Sequence, residues 1–203
     1  WGLITLDSMR YSIPDDSYYD RDAIIEEILR LQLPDGGFSF YNDRTDPDMT
    51  GMALQALAPY YNSEQYYTYE QKNTKKTVTK TVRQVVDEAL DVLSALQLSD
   101  GDFESWGEEN AESTSQVLVA LTALGIDPLT DKRFIKKGNT LLDGILKFKM
   151  KDGGFVHSKT YNPENPTSLP DESNSMASEQ VLYALISLYR FQEGYRSVYD
   201  FRP

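Results

Sequence analysis

The sequence predicts an all-α fold, and three observations support this prediction. The phrase DGGF or DGDF occurs three times, with Gly36, Gly101 and Gly153 at corresponding positions. Each copy follows one segment of helical periodicity and precedes another. The segments before the phrase are amphipathic, whereas those after it are apolar on nearly all sides. Repeats that each hold two helical patterns indicate stacked helical hairpins.

We expect residues 1–203 to form a single domain or part of one. Its hairpins are predicted at about 20–61, 78–125 and 133–192. The amphipathic helices should form an outer layer and the apolar helices an inner one, because a helix without a polar face must be surrounded by protein. Residues 1–8 are predicted to be the end of a helix from a preceding unit. The polar stretches 61–77 and 160–172 are predicted to be loops.

The repeated turn has a chemical basis. Its glycines can adopt positive φ and so end a helix in a left-handed cap. The aromatic residue two positions later can fold back onto the helix just completed. These aromatic residues are Phe38, Phe103 and Phe155. Their regular phase predicts a structural role.

The segments LQLPDGGFSF and LQLSDGDFESW resemble the glutamine–glycine–aromatic repeat of the terpenoid cyclases and protein prenyltransferases. The matching residues are Gln32, Gly36 and Phe38 in the first copy, and Gln97, Gly101 and Phe103 in the second. In the third copy Lys149 replaces the glutamine, while Gly153 and Phe155 remain. The resemblance covers most of residues 20–192 and implies an α/α toroid, of which this chain would form a partial ring. Cobalamin carriers share that architecture, so it does not define a function.

Composition narrows the possible functions. The formal charge is −12, from 32 acidic and 20 basic residues, which argues against nucleic acid as a partner. The absence of cysteine excludes disulfides, thiolate zinc sites and a cysteine nucleophile. No apolar run is long enough to span a membrane. We expect an extracellular or cell-surface bacterial protein whose export signal lies outside this sequence, since none is visible at Trp1.

One segment, DPDMT at 46–50, bears on catalysis. It resembles the D-x-D-D-T motif of squalene–hopene-type cyclases, which implies that Asp46 and Asp48 could supply an acid, although Met49 stands at the third acidic position. The alternative is that Asp48 caps the following helix and favours its positive dipole end. His157 is the only histidine, so the zinc site of the prenyltransferases cannot be assembled. We therefore favour a protein without catalytic activity and keep a degenerate cyclase as the alternative.

Binding is the main prediction. If the inner helices point the same way, their N-termini gather on one rim, where aromatic and polar side chains would form a site for a small molecule or glycan. The candidate residues are Phe40, Tyr41, Asp46, Asp48, Trp106, Glu109, Glu112 and His157. No cofactor is predicted: a corrinoid is suggested only by the resemblance, and calcium lacks a D-x-D-x-D-G loop.

The sequence thus predicts a ligand-binding or interaction module of a larger bacterial surface or secreted protein, with a structural spacer as a further alternative. A partial ring would expose the apolar flanks of its end units. We expect Trp1, Leu3, Ile4 and Leu6 to cover such a flank or to pair with another chain. Self-association through the open end is a further prediction.

Overall fold

A computed structural model describes residues 1–41, 44–166 and 168–202. Helices account for 43% of the described residues and strands, with isolated bridges, for 9%. The α-helices over the described residues are α1 (Gly2–Ser8), α2 (Arg21–Arg30), α3 (Pro47–Leu57), α4 (Val82–Leu96), α5 (Ala111–Ala123), α6 (Leu141–Leu146) and α7 (Ser175–Gln192). Short 3-10 turns lie at Ala58–Tyr60 and Lys132–Phe134.

The prediction of an all-α fold, and with it of an α/α toroid, is wrong. Two antiparallel sheets of two strands each lie between the helices. They pair β1 (Tyr66–Glu70) with β2 (Thr77–Thr81), and β3 (Glu104–Ser105) with β4 (Glu108–Glu109). The chain is therefore a mixed fold of helices and small sheets. Residues 61–77, predicted to be a loop, contain all of β1 and the first residue of β2.

The first hairpin forms because its sequence alternates with a period of two. Tyr67 and Tyr69 are buried, while the residues between and beside them are exposed. The aromatic residues of β1 and the β-branched residues of β2 also favour extended backbone. The Tyr67 hydroxyl donates a hydrogen bond of 3.0 Å to Asp22. The hairpin therefore packs against α2 instead of projecting as a loop.

The second hairpin is very short and turns at Trp106 and Gly107. Both residues have positive φ, 56° and 80°, as a two-residue turn of type I′ requires. Glycine adopts this conformation freely, whereas for tryptophan it is costly. The turn holds the Trp106 side chain at the tip of the hairpin, where it is 57% exposed.

Helices α3, α5 and α7 pack side by side in that order and form the centre of the molecule. The middle helix, α5, is buried along residues 111–122. At Gly51 of α3, a Cβ atom would lie 2.9 Å from the backbone of Gln116. Glycine thus permits the close approach of α3 and α5. Across the other contact, the hydroxyls of Thr122 and Ser187 form a hydrogen bond of 2.7 Å.

In the first two copies of the repeat, the glutamine side chain connects its own turn to the next unit by hydrogen bonds. Gln32 Nε2 donates hydrogen bonds to the carbonyl oxygens of Gly36, at 2.9 Å, and Val85, at 3.1 Å. Gln97 does the same with the carbonyl of its own turn, at 3.0 Å, and with that of Phe134, at 3.1 Å. Both glutamines are buried. These residues therefore belong to the scaffold.

The aromatic position is equally regular. In every unit the backbone N–H of the aromatic residue donates to a hydroxyl four residues beyond the N-cap of the following helix. These pairs are Phe38 with Thr50 at 3.0 Å, Phe103 with Thr114 at 3.1 Å, and Phe155 with Ser178 at 2.9 Å. The third unit differs in its surroundings: no described atom lies within 4 Å of a Cβ built at Gly153, whereas Gly36 and Gly101 each press against a neighbouring helix.

The two ends of the chain meet. Leu3 and Ile4 of α1 are buried, and the Trp1 ring contacts that of Tyr199 edge to face at 5.9 Å. The backbone N–H of Phe201 donates a hydrogen bond to the Ser8 carbonyl. The segment after α7 therefore returns to α1. Among the helices of the described residues, none has the length and apolar character needed to cross a membrane.

Candidate functional site

Asp46 starts α3 and is fully engaged by neighbouring groups. It is the N-cap residue, and its carboxylate accepts a hydrogen bond of 2.9 Å from the backbone N–H of Met49. The other carboxylate oxygen accepts a hydrogen bond from the Ser105 hydroxyl of β3. Asp46 thus ties the short hairpin to the start of α3.

Asp48 lies one residue further along and is less satisfied. The Ser113 hydroxyl of α5 donates to its carboxylate at 3.0 Å, and no salt bridge reaches it from the described residues. Burial, followed by the repulsion of Asp46 and Glu112, raises the pKa of Asp48 from 3.8 to about 7. Near neutral pH, Asp48 is therefore poised between its two protonation states.

Three exposed aromatic side chains stand around these acids. Phe40 and Tyr41 are 70% and 68% exposed, and Trp106 projects from the hairpin between β3 and β4. The rings of Tyr41 and Trp106 meet edge to face, with centroids 5.4 Å apart. Together with Asp46, Asp48 and Met49 the rings line a cavity of about 380 Å³, which we call the aromatic cleft. Large aromatic groups are seldom exposed together without a partner.

His157 and Glu112 lie beside the aromatic cleft but do not line it. Both carboxylate oxygens of Glu112 are 2.9 Å from Nδ1 of His157, and Glu108 is 3.8 Å from Nε2. The hydrogen bond to Glu112, against the opposing effect of burial, raises the pKa of His157 above 6.5. His157 is thus a charge partner for the two glutamates.

Glu109 belongs to a separate group of charges. Its carboxylate lies 2.7 Å from the Lys147 ammonium, which also contacts Asp100 at 2.7 Å and Asp102 at 2.5 Å. The three carboxylates are close enough to one another to hold a metal ion. The Lys147 ammonium lies at hydrogen-bonding distance from all three and supplies the positive charge there. The acids by themselves therefore give no support for a metal centre.

The structure brings together five of the eight residues predicted for binding. These five are Phe40, Tyr41, Asp46, Asp48 and Trp106. Sequence reasoning missed Ser105 and Ser113, whose hydroxyls hold the two aspartates. A signal for Ser113 was present, because it lies three residues beyond the capping residue Asn110. Ser105 was recognisable only once the turn at Trp106 was known.

A larger cavity, of about 720 Å³, lies elsewhere, between α1, the end of α3 and the segment after α7. Its wall contains four arginines and the aspartates that pair with three of them. Arg21 bonds to Asp7 at 2.8 Å, and Arg202 pairs with Asp200. Each of these pairs lies within one end of the chain, and the two ends are joined by the Phe201–Ser8 backbone hydrogen bond and the contact between the Trp1 and Tyr199 rings. The size of this cavity follows from how the ends meet, and the aromatic cleft offers the more specific chemistry.

The residues that carry the resemblance to terpenoid cyclases serve the scaffold, so they say little about the cleft. The chemistry of the cleft is set instead by non-repeating residues such as Phe40, Tyr41 and Trp106. No protein-family model matches this chain, and no curated protein matches it either.

Proposed function

We propose that this protein is a non-catalytic binding module whose aromatic cleft takes a positively charged organic group, such as an alkylammonium. Asp48 carries the proposal. It is a largely buried carboxyl group at the floor of the cleft, without a salt bridge from the described residues. An ammonium group there would supply the missing positive charge and would lower the pKa of Asp48.

The walls of the cleft suit the same ligand. A cation over an aromatic face is attracted by the quadrupole of the ring, whose face carries negative potential, and the attraction is strongest for tryptophan. The face of Trp106 already has a guanidinium above it, since Arg44 Cζ lies 5.5 Å from the ring centroid. Phe40 and Tyr41 meet edge to face at 5.0 Å and extend the aromatic wall. An apolar shell around the charged nitrogen favours alkylated ammonium over a bare cation.

Choline is a suitable probe, with 3,3-dimethyl-1-butanol as its neutral isostere. We expect isothermal titration calorimetry to show choline binding that strengthens from pH 5 to pH 8, because Asp48 loses its proton over that range. The neutral isostere should bind at least about tenfold more weakly, since it forms no ion pair.

Asp48→Asn should weaken choline binding by a similar factor. Glu179→Gln is the matched control, because Glu179 is an exposed acid on α7, away from the aromatic cleft. Equal affinity for choline and its isostere would show that the cleft does not recognise charge. A flat titration with choline at all pH values would also overturn the proposal.

The second candidate is acid catalysis in the manner of a degenerate cyclase. The observation in its favour is the raised pKa of Asp48 beside a second carboxylate, Asp46. Against it, Asp46 is held by a capping bond and by Ser105, and the aromatic cleft is open to water. Incubation with polyprenyl substrates separates the two functions: turnover that Asp48→Asn abolishes would establish the enzyme and overturn the binding proposal.

A further inference from the structure

The turn of the second unit departs from the repeat at one wholly buried position. The first and third turns read DGGF, whereas the second reads DGDF, so that Asp102 stands where the other units have Gly37 and Gly154. The Asp102 side chain is 0% exposed. A carboxyl group thus replaces a hydrogen atom at a site closed to solvent. Its burial lowers stability unless a partner group compensates for the lost hydration.

A second position changes with it. In the first and third units the turn aspartate accepts a hydrogen bond from a hydroxyl just before the N-cap of the next helix. These pairs are Asp35 with Thr45 at 2.8 Å and Asp152 with Ser173 at 2.7 Å. In the second unit that hydroxyl is replaced by Glu109, and the gap between Asp100 and Glu109 is filled by Lys147. Two coordinated changes and a lysine from α6 thus make a group found in this unit alone.

The backbone presses Lys147 against Asp102. A Cβ on Gly101 would lie 2.1 Å from the Thr140 carbonyl, and one on Gly144 would lie 2.5 Å from the backbone nitrogen of Asp102. Both glycines therefore allow α6 to sit directly on the turn. Lys147 caps the C-terminal end of α6, which aims its side chain at the carboxyl group.

The contact between the two side chains is a close ion pair. Lys147 Nζ lies 2.5 Å from Asp102 Oδ2, although the alignment is not that of a regular hydrogen bond. The same nitrogen donates regular hydrogen bonds to Asp100 and Glu109, each at 2.7 Å. Asp102 is the one buried member of this group of three acids.

We propose that Lys147 and Asp102 form an intramolecular isopeptide bond. The Nζ lone pair attacks Cγ of Asp102, the new N–C bond forms, and one C–O bond breaks. The ammonium and carboxylate together yield a neutral amide and one molecule of water. No oxidant, reductant or other reactant is needed.

The neighbouring carboxylates move the protons. Asp100 and Glu109 both accept hydrogen bonds from the Lys147 nitrogen, and these bonds, against the opposing effect of burial, raise the pKa of Lys147. Attack therefore requires transfer of a proton from the ammonium to one of the two carboxylates, which then returns it to the departing hydroxyl. Burial raises the pKa of Asp102 to about 7, which supplies the protonated carboxyl that can lose water near neutral pH. The ring of Phe148, with its centroid 5.0 Å from Nζ, helps to exclude water from the product.

Mass spectrometry of the purified full chain tests the proposal. The intact mass should be lower than that of the sequence by one water, and digestion with trypsin should yield a branched peptide joining the segments around residues 102 and 147. Lys147→Arg keeps the positive charge but removes the nucleophile, so it should restore the full mass. Asp102→Ala should do the same, whereas Asp100→Asn and Glu109→Gln should slow the loss of water.

Two controls keep the result unambiguous. Asp100–Gly101 could lose water by forming a succinimide, but that loss would persist in Lys147→Arg and would give no branched peptide. Circular dichroism shows whether a variant is folded, and Lys149→Arg is the matched exposed control. We expect Lys147→Arg to lower the melting temperature by roughly 10 °C, because the cross-link restricts the unfolded chain. An intact mass equal to that of the sequence, or a loss of water unaffected by Lys147→Arg, would overturn the proposal.

Discussion

Two aspartates, the partly buried Asp48 and the wholly buried Asp102, share a raised pKa of about 7 but have different surroundings. Burial is the main cause in both cases. Asp48 opens onto the aromatic cleft and has a neutral partner, the Ser113 hydroxyl. Asp102 is closed off from water and faces the Lys147 ammonium. Burial thus raises the proton affinity of both carboxyl groups. The neighbouring groups then determine whether the carboxyl can bind a ligand, as at Asp48, or reacts with a lysine of the same chain, as we propose for Asp102.

The largest effect is expected from removing the charge that faces Asp102. Lys147→Met leaves three carboxylates together without a cation, one of them wholly buried. The variant loses both the ion pair and the cross-link that we propose forms from it, and Asp102 escapes part of the cost by taking up a proton. We expect a loss of about 3 kcal/mol in the free energy of unfolding. Urea denaturation at neutral pH measures it.

Lys149→Met is the control for that prediction. Lys149 is exposed and lies two residues further along the same segment, so its replacement should change stability by less than about 0.5 kcal/mol. Equal losses for the two variants would mean that Lys147 contributes no more than an ordinary surface charge. The contrast between the two aspartates would then lose its basis.

Replacing Asp48 should stabilise the protein, whereas replacing Lys147 should destabilise it. The folded pKa of Asp48, which is about 7, lies above the ordinary value of 3.8, so the folded protein holds the proton more tightly than the unfolded chain. Its contribution to stability is complete below pH 3.8 and is lost as pH rises through about 7. We therefore expect Asp48→Asn to gain about 2 kcal/mol relative to the natural chain between pH 5 and pH 8, after allowance for partial exposure.

Urea denaturation of both proteins at the two pH values tests this, because only the difference between them isolates Asp48. The hydrogen bond to Glu112 also raises the pKa of His157, but His157 is present in both proteins. A difference between the two proteins that does not change with pH would show that the Asp48 carboxyl has its ordinary pKa. The cleft would then offer no unsatisfied charge to a cationic ligand.

The sequence predicts well what is decided locally. The left-handed turn glycines and the buried aromatic residues of the repeat follow from neighbours within one turn of helix. The prediction that Asp48 caps α3 is wrong by two residues, because Asp46 is the N-cap and Asp48 lies in the first turn. The β1–β2 hairpin was missed because its two strands flank a polar connection rich in lysine and threonine, which conceals the alternation of Tyr67 and Tyr69. A composition typical of loops therefore hides a burial pattern that alternates from residue to residue.

Contacts between repeat units could not be predicted from the sequence, for a different reason. Glu109 was predicted to join the aromatic residues, but Lys147 comes from the next unit and holds it elsewhere. Nothing in the local pattern around either residue specifies that contact, because the approach of α6 to the turn depends on Gly101 and Gly144 together. The sequence shows that Asp102 replaces the second glycine of the repeat. Only the structure shows that this aspartate faces Lys147.

The smallest expected effect on stability concerns the wall of the aromatic cleft. Trp106 is 57% exposed and adopts positive φ, so Trp106→Ala removes little buried surface and should change the free energy of unfolding by less than about 0.5 kcal/mol. Phe103, three residues earlier, is wholly buried, and Phe103→Ala should cost about 3–5 kcal/mol. Choline binding should show the reverse order: lost in Trp106→Ala, which removes the ring that faces the cation. A Trp106→Ala variant that is both stable and fully able to bind choline would separate the aromatic wall from the ligand and leave Asp48 as the sole determinant.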